Sequence, residues 1–381
     1  MRLTWQEAIG RRLARHHLLD GGSGASLVEV ASDICGAHAQ VAASAELMLG
    51  LRVPRITRRD VRAATWEART LVKTVGLRGT LHLLPAREVP LWMAANRLRF
   101  SAEERRLARA GIGRDELERV TNAIGEIVGR EPIGRLELER ALEERVGGWA
   151  ITTNQGWLGS YKNWPMAMGW AAAKGLVCYG PGEGGRSTFV RLSEWSGWRE
   201  EDPLEGGAFA LRRFLNAYGP STRAEFQRWF AIEPAAAKSV FEAAADDLAE
   251  VEVEGERRWI LRSDLDAPAE AATDAVNLLP HFDVFVVGAH PRDQLIPRGS
   301  RVAKAAPGTA APLAVVLVGG RVAGVWERKP KGKRLLIRVG ADVPLSRPQR
   351  ASIEAQAERI ASFLERQCEL EFGEVPLRFH L

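Results

Sequence analysis

An α+β fold is predicted by three observations. Three consecutive segments run in one order, helices followed by two short strands joined by a turn. After Asp264-Leu265-Asp266-Ala267-Pro268 the pattern changes from helical to strand-rich, and residues 346–366 then read as an amphipathic helix able to cover those strands. Helices that carry a β-hairpin in this order match a winged helix. The chain therefore reads as three tandem winged helix-turn-helix modules, residues 1–100, 101–203 and 204–266, followed by a C-terminal β-barrel-like domain at 267–381. At 381 residues it is too long for one ordinary core.

In the first module Ser26 is a good N-cap, Leu27, Val30, Ala31 and Ile34 have helical spacing, and Gly36 is a natural stop. Residues 41–51 read as the next helix, and "KTVGLRGTLHLLP" places Arg78-Gly79 between two alternating runs. His16 and His17 end an Arg-rich helix, where a cation suits the C-terminal dipole. "GGSG" at Gly21 to Gly24 lacks the Lys-Ser or Lys-Thr of a phosphate loop and reads as a connector. The second module has helices near 115–129, 135–146 and 165–174, strands at 176–179 and 188–192, and a flexible tip at Gly180-Pro181-Gly182-Glu183-Gly184-Gly185. The third is the clearest, with helices at 208–218, 223–230 and 234–248 and strands at 250–253 and 258–262 around Glu254-Gly255-Glu256. Beyond it, "LLPHFDVFVVG", "LAVVLVGGRVAGVWERK" and "RLLIRVG" read as strands of a small barrel or curled sheet, whose edges the last helix protects.

Apolar content of 46% with 27% charged residues excludes global disorder. The net charge of +5 and pI near 9.3 are compatible with a nucleic-acid partner. Cys35, Cys178 and Cys368 are far apart and form no metal or redox spacing, which fits a reducing cytosol. Charged residues interrupt the opening after Met1, and no run reaches the roughly 18 apolar residues that span a bilayer, so neither export nor membrane insertion is expected.

The stretch "ICGAHAQVAAS" sets His38 and Gln40 two residues apart in a small, apolar segment. Such residues diverge by about 200° on a helix but share one side of an extended chain. Because both fall in the junction between two helices, the extended arrangement is expected, with both side chains aimed at one point. Basic residues gather in "AHPRDQLIPRGSRVAK", with Arg292, Arg298, Arg301 and Lys304 in one long loop, and in "WERKPKGKRLLIR", with Lys329, Lys331, Lys333 and Arg334 at a turn. Such groups bind phosphates, although charge runs are also simply solvated surface. His82 in an alternating strand reads as a packed histidine, and His281 beside Asp283 lacks a nucleophile motif. Trp149, Trp157, Tyr161, Trp164 and Trp170 offer stacking surfaces, with core packing the commoner use.

On "GAHAQVAAS", "LRGTLHLLPARE", "LLPHFDVFVVG" and "VVLVGGRVAGVWERK", in that order along almost the whole chain, the sequence resembles the winged-helix bacterial DNA glycosylases that remove alkylated bases and unhook interstrand crosslinks. The resemblance implies a monomer that curves around double-stranded DNA carrying alkylated purines, with no metal or organic cofactor and a cytoplasmic, nucleoid-associated location. The family's active-site motif is glutamine, an aliphatic residue, then glutamine or aspartate; His38, Ala39 and Gln40 stand at the matching positions, Gln40 in agreement and His38 as a departure. The resemblance also places a β-hairpin against the DNA groove, by position at His290 to Arg292.

Neutral catalytic groups suit this chemistry. A purine alkylated at a ring nitrogen is already cationic and leaves as a neutral base, so the protein needs chiefly to position water and stabilise a sugar of oxocarbenium character. The Gln40 amide oxygen is suited to accept a hydrogen bond from that water, and a neutral His38 to accept its proton. A protonated His38 would repel the sugar cation, so activity is expected to rise with pH through the imidazole titration. Two other classes fit the same pattern: a non-catalytic winged-helix DNA-binding or regulatory protein, and a scaffold whose winged helices bind protein.

Overall fold

Caps visible in the sequence set several helix boundaries in the computed structural model, which describes residues 1–19, 24–109, 111–156, 159–182, 186–267, 271, 274–305 and 313–377. Ser26 opens the helix Leu27–Asp33 and Ser346 opens Arg347–Phe363, each in a reciprocal cap with the side chain three residues on, Glu29 and Gln349. The chain forms two compact units. One comprises Met1–Ala63, Arg212–Phe226 and the described part of Ala245–His380; the other comprises Ala64–Leu211 and Gln227–Ala244.

The second unit contains the antiparallel pair Leu71–Val75 and Leu81–Pro85, whose connection includes Arg78 and Gly79 at φ 54° and 75°. It also contains the helices Arg114–Ile127 and Arg135–Val146 and the pair Cys178–Gly180 with Thr188–Val190, in the expected order. An additional hairpin, Thr153–Gly156 with Gly159–Lys162, has no counterpart in the sequence reading. Trp164 and Trp170 are buried, Trp149 packs against Leu107, Ile112 and Leu117, and Tyr161 is exposed. Trp157, the tip residues Glu183 to Gly185 and Gly21 to Ser23 lie outside the described residues.

Along the chain the helices Pro203–Tyr218, Arg223–Phe230 and Pro234–Ala243 precede the hairpin Leu248–Val253 and Glu256–Leu261. Its turn needs two left-handed residues, Glu254 at φ 46° and Gly255 at 89°. Arg2–Leu3 adds a parallel strand to its free side.

The C-terminal sheet is open, in the order Val276–Leu279, Val315–Val318, Arg321–Lys331, Arg334–Ala341, Gln367–Phe372, with only the last pair parallel. The helix Arg347–Phe363 buries Ile353, Ala357, Ile360, Ala361 and Phe363, a spacing that makes one face. Its Gln356 amide accepts from Leu278 N–H at 2.8 Å and donates to the Val276 carbonyl, so a side chain pairs the edge that a closed barrel would have paired. Pro330 sits where its strand runs beyond its neighbour Val315–Val318, which is why a residue without N–H is tolerated.

Three expectations are corrected. Val284–Gly288 is a short helix rather than a continuation of the strand, because Asp283 caps it by accepting from Phe285 N–H at 3.0 Å. The basic stretch after it is not one long loop: it contains the helices Arg292–Leu295 and Arg301–Ala305. His16 is not a cation at a solvated helix end. It is fully buried between the rings of Tyr218 and Phe285, at 5.0 and 5.2 Å, and burial and then the Arg52 charge hold its imidazole well below the ordinary range. His17 instead contacts Asp33 at 2.9 Å.

Candidate active site

The junction that carries His38 and Gln40 lies between a helix stop and a helix start. Leu27–Asp33 ends in a Schellman turn, in which Gly36 N–H donates to the Ala31 carbonyl at 2.7 Å and Cys35 N–H to Ser32 at 3.1 Å. Cys35, at φ 61°, takes the first left-handed position that Gly36 was expected to hold, and Gly36 follows at 85°. The chain then extends through Ala37–His38, and after Val41, whose side chain makes no cap, the helix Ala42–Gly50 begins.

The extended backbone at His38 agrees with the expected arrangement, but the two side chains differ in access. His38 is 6% exposed, whereas Gln40 is on the surface. The imidazole stacks on Phe282, with ring centroids 5.3 Å apart and planes 22° from parallel. Phe282 itself has φ 61°, a left-handed conformation that a bulky side chain keeps only where its surroundings fix it.

The next residue does the fixing. Asp283 accepts two N–H bonds from Arg52, each 2.8 Å, in a pair whose side chains are both fully buried. Arg52 stands just beyond the helix Ala42–Gly50 and also donates to the Met48 carbonyl at 3.0 Å. That helix is held against Arg347–Phe363 so closely that a Cβ on Gly50 would come 2.3 Å from the Phe363 ring. His38, the helix after it, Arg52, Asp283 and Phe282 thus form a closed circuit that returns to His38. The same helix buries Glu46, which accepts from Arg62 Nε at 2.8 Å and from Arg58 Nε.

The other residues singled out in the sequence are placed as follows. His290 is buried, and Arg292 is half-buried as the first residue of its helix. Arg298 is exposed and paired with Asp293 at 2.8 Å, while Arg301 is paired with Asp342 at 2.8 Å. Lys331 pairs with Glu369 at 3.1 Å, and Lys333 is exposed in the hairpin turn. Sequence reasoning missed Phe282 and Arg52. The one signal for Arg52 was a cation inside the apolar run "LMLGLRVP". Among the described residues no cluster of three or more His, Cys, Asp or Glu side chains could hold a metal, and no helix is long and apolar enough to cross a membrane.

Comparison with known proteins bears on what this arrangement does. The family model described as DNA glycosylase AlkZ-like matches residues 31–363, a span that contains the whole circuit. An interstrand DNA cross-link repair glycosylase of Streptomyces sahachiroi is 29% identical over 339 residues, which is 86% of this chain and 88% of that protein. The solved structure of the Streptomyces sahachiroi DNA glycosylase AlkZ matches with a TM-score of 0.81 and 25% identity, over 98% of this chain and 100% of that one.

Proposed function

Because the chain belongs to the AlkZ-like DNA glycosylase family, we propose that it hydrolyses the N-glycosidic bond of cationic alkylated purines in double-stranded DNA, interstrand crosslinks included, with water positioned by His38 and Gln40. The observation that carries this reading is the buried His38 imidazole, held on Phe282 two residues from a surface carboxamide. A fixed acceptor beside an accessible one suits a reaction whose leaving group needs no proton. Alignment of water and stabilisation of the sugar cation then supply the rate. The reaction is monofunctional on this reading, since water rather than a lysine attacks the sugar. His290, Arg292, Arg298, Arg301, Lys331 and Lys333 are assigned to DNA contact. The protein is taken as a monomer that acts in the cytoplasm. The repeated order of helices and hairpin supports winged helices at 1–100, 101–203 and 204–266 before the C-terminal sheet domain.

The deciding experiment incubates the protein with duplexes carrying N7-methylguanine, a bulky N7 adduct or an N7-linked crosslink, and scores alkali-labile abasic sites. Product that depends on Gln40, and is lost in Gln40→Ala while DNA binding persists, is the expected result. A second reading, a non-catalytic DNA-binding or regulatory protein, draws on the burial of His38. It requires no abasic product from any of the three duplexes and a Gln40→Ala variant altered at most in affinity.

A further inference from the structure

In the first unit a cleft of about 410 Å³ is lined by Arg58, Arg59, Arg62, Arg328, Arg366 and Glu365, with Ala43 of the helix Ala42–Gly50 at its wall. Its charges do not cancel. Glu46 accepts from Arg58 and Arg62, and Glu365 lies 3.2 Å from Arg59, so two carboxylates answer five guanidinium groups. Among the described residues neither Arg328 nor Arg366 has an ion pair with a carboxylate; Arg366 donates only to the Gly332 carbonyl. The Nη1 of Arg328 is buried and meets no acceptor. Leaving a buried charged donor unsatisfied costs more than a typical hydrogen bond gains, and the neighbouring Arg58 charge adds to that cost, as the lowered Arg328 pKa reflects, burial first and Arg58 second. An anion in the cleft would offset the crowding of like charge around Arg328.

A second feature points the same way. The helix Ala42–Gly50 begins at Val41, whose apolar side chain offers no cap, and only its Ser44 and Ala45 amides turn back to the Val41 carbonyl. Ala43, in the first turn of this helix, lines the cleft beside the arginines, so the positive end of the helix dipole lies near them. Ala43 stands three positions from Gln40, at most about 11 Å of chain.

We propose that this cleft binds a phosphodiester of the DNA backbone close to the damaged nucleotide, with Arg328 and Arg366 as its phosphate ligands, and so sets the position of the sugar at Gln40. The assignment rests on the glycosylase reading for the identity of the sugar, but not for the binding of phosphate. Guanidinium forks suit phosphate oxygens, and a bound backbone phosphate releases counterions, so affinity should carry a salt signature.

The test measures binding of an undamaged duplex by fluorescence anisotropy across salt concentrations. Wild type, Arg328→Gln, Arg366→Gln and Arg328→Lys are compared, each checked for an unchanged circular dichroism spectrum and melting curve. Arg328→Gln and Arg366→Gln are each expected to weaken binding on the order of tenfold whatever the sequence, and to reduce the slope of log K against log salt by about one. Arg328→Lys should keep the slope and lose part of the affinity, because it retains charge without the fork. Unchanged affinity and slope in both Gln variants overturn the proposal, whether or not Gln40-dependent product is formed. A melting temperature raised by inorganic phosphate in wild type but not in Arg328→Gln, with duplex binding unaltered, also overturns it and identifies a site for small free phosphates. Loss of the salt signature alongside absent glycosylase product retains the cleft and rejects only the enzymatic reading.

Discussion

His16 and His38 lie in the same compact unit, both buried and both against aromatic rings, and one short segment serves them both. Phe285 meets His16, Phe282 meets His38, and Asp283 between the two rings grips Arg52. The difference lies in what completes each environment. His16 is closed on a second side by Tyr218, whose hydroxyl donates to the Val284 carbonyl at 2.9 Å and whose approach leaves no room for a Cβ on Gly288. His38 has its stack and then, two residues on, a carboxamide in solvent. Burial alone therefore does not tell the two histidines apart; the second ring that closes on His16 and the exposed residue two positions from His38 do.

The largest effect expected from breaking this comparison comes from its shared anchor. Asp283→Ala leaves the Arg52 charge buried and unpaired, a loss of about 3–5 kcal/mol, measured by denaturant or thermal unfolding. Joint replacement, Arg52→Met with Asp283→Leu, should recover most of it, since the buried charge goes with its partner. A loss below about 1 kcal/mol in the single variant would mean that the segment holds both rings without the ion pair.

Next in size, Gln40→Ala should lower glycosylase product formation on the order of 10²–10³-fold, by analogy with the loss of one positioned transition-state group, and leave stability within about 0.5 kcal/mol. His16→Leu should do the reverse, changing stability and not product. Equal effects of the two variants on product would erase the distinction.

A third outcome concerns pH. Wild-type activity should rise through the imidazole titration, whereas His38→Gln, which supplies the residue at the matching motif position, should titrate no longer. A rising profile that survives the substitution removes His38 as the base.

The smallest effect belongs to His16. Its folded-state pKa lies below the ordinary value of 6.5, so the unfolded chain binds the extra proton first. Its stabilisation is full above about pH 6.5 and declines as pH falls below that, by at most about 1.4 kcal/mol per unit. Melting curves from pH 7 to 5 should show that slope in wild type and a shallower one in His16→Leu.

Elements marked by local chemistry were legible in the sequence. The Ser26 cap, the helix that begins after Ser346 and the turn at Glu254-Gly255-Glu256 each follow from a few neighbouring residues, and the structure adds the reciprocal partners Glu29 and Gln349. Val284–Gly288 was misread because four apolar residues before a glycine carry no usable period, whereas in the structure the Val286 and Val287 amides turn back to the Asp283 carbonyl and Phe285 N–H to its side chain. The extended junction at His38 could be read from Gly36 and the helices around it. Its stack could not, because Phe282 lies far along the chain. The basic stretches show the same limit: Arg301 and Lys331 look available until Asp342 and Glu369, 41 and 38 residues away, are seen to pair with them. Arg328 attracted no notice beside Lys329, yet among the described residues it has no ion pair with a carboxylate, and its Nη1 is buried without an acceptor.

The bond between Arg52 and Asp283 spans 231 positions. A ribosome delivers the N-terminal part first, and a nascent chain that stops short of Phe282 has His38 and Gln40 but neither the ring nor the carboxylate that fixes it. The packing around His38 is therefore completed late in synthesis, once residues 282 and 283 have emerged and docked.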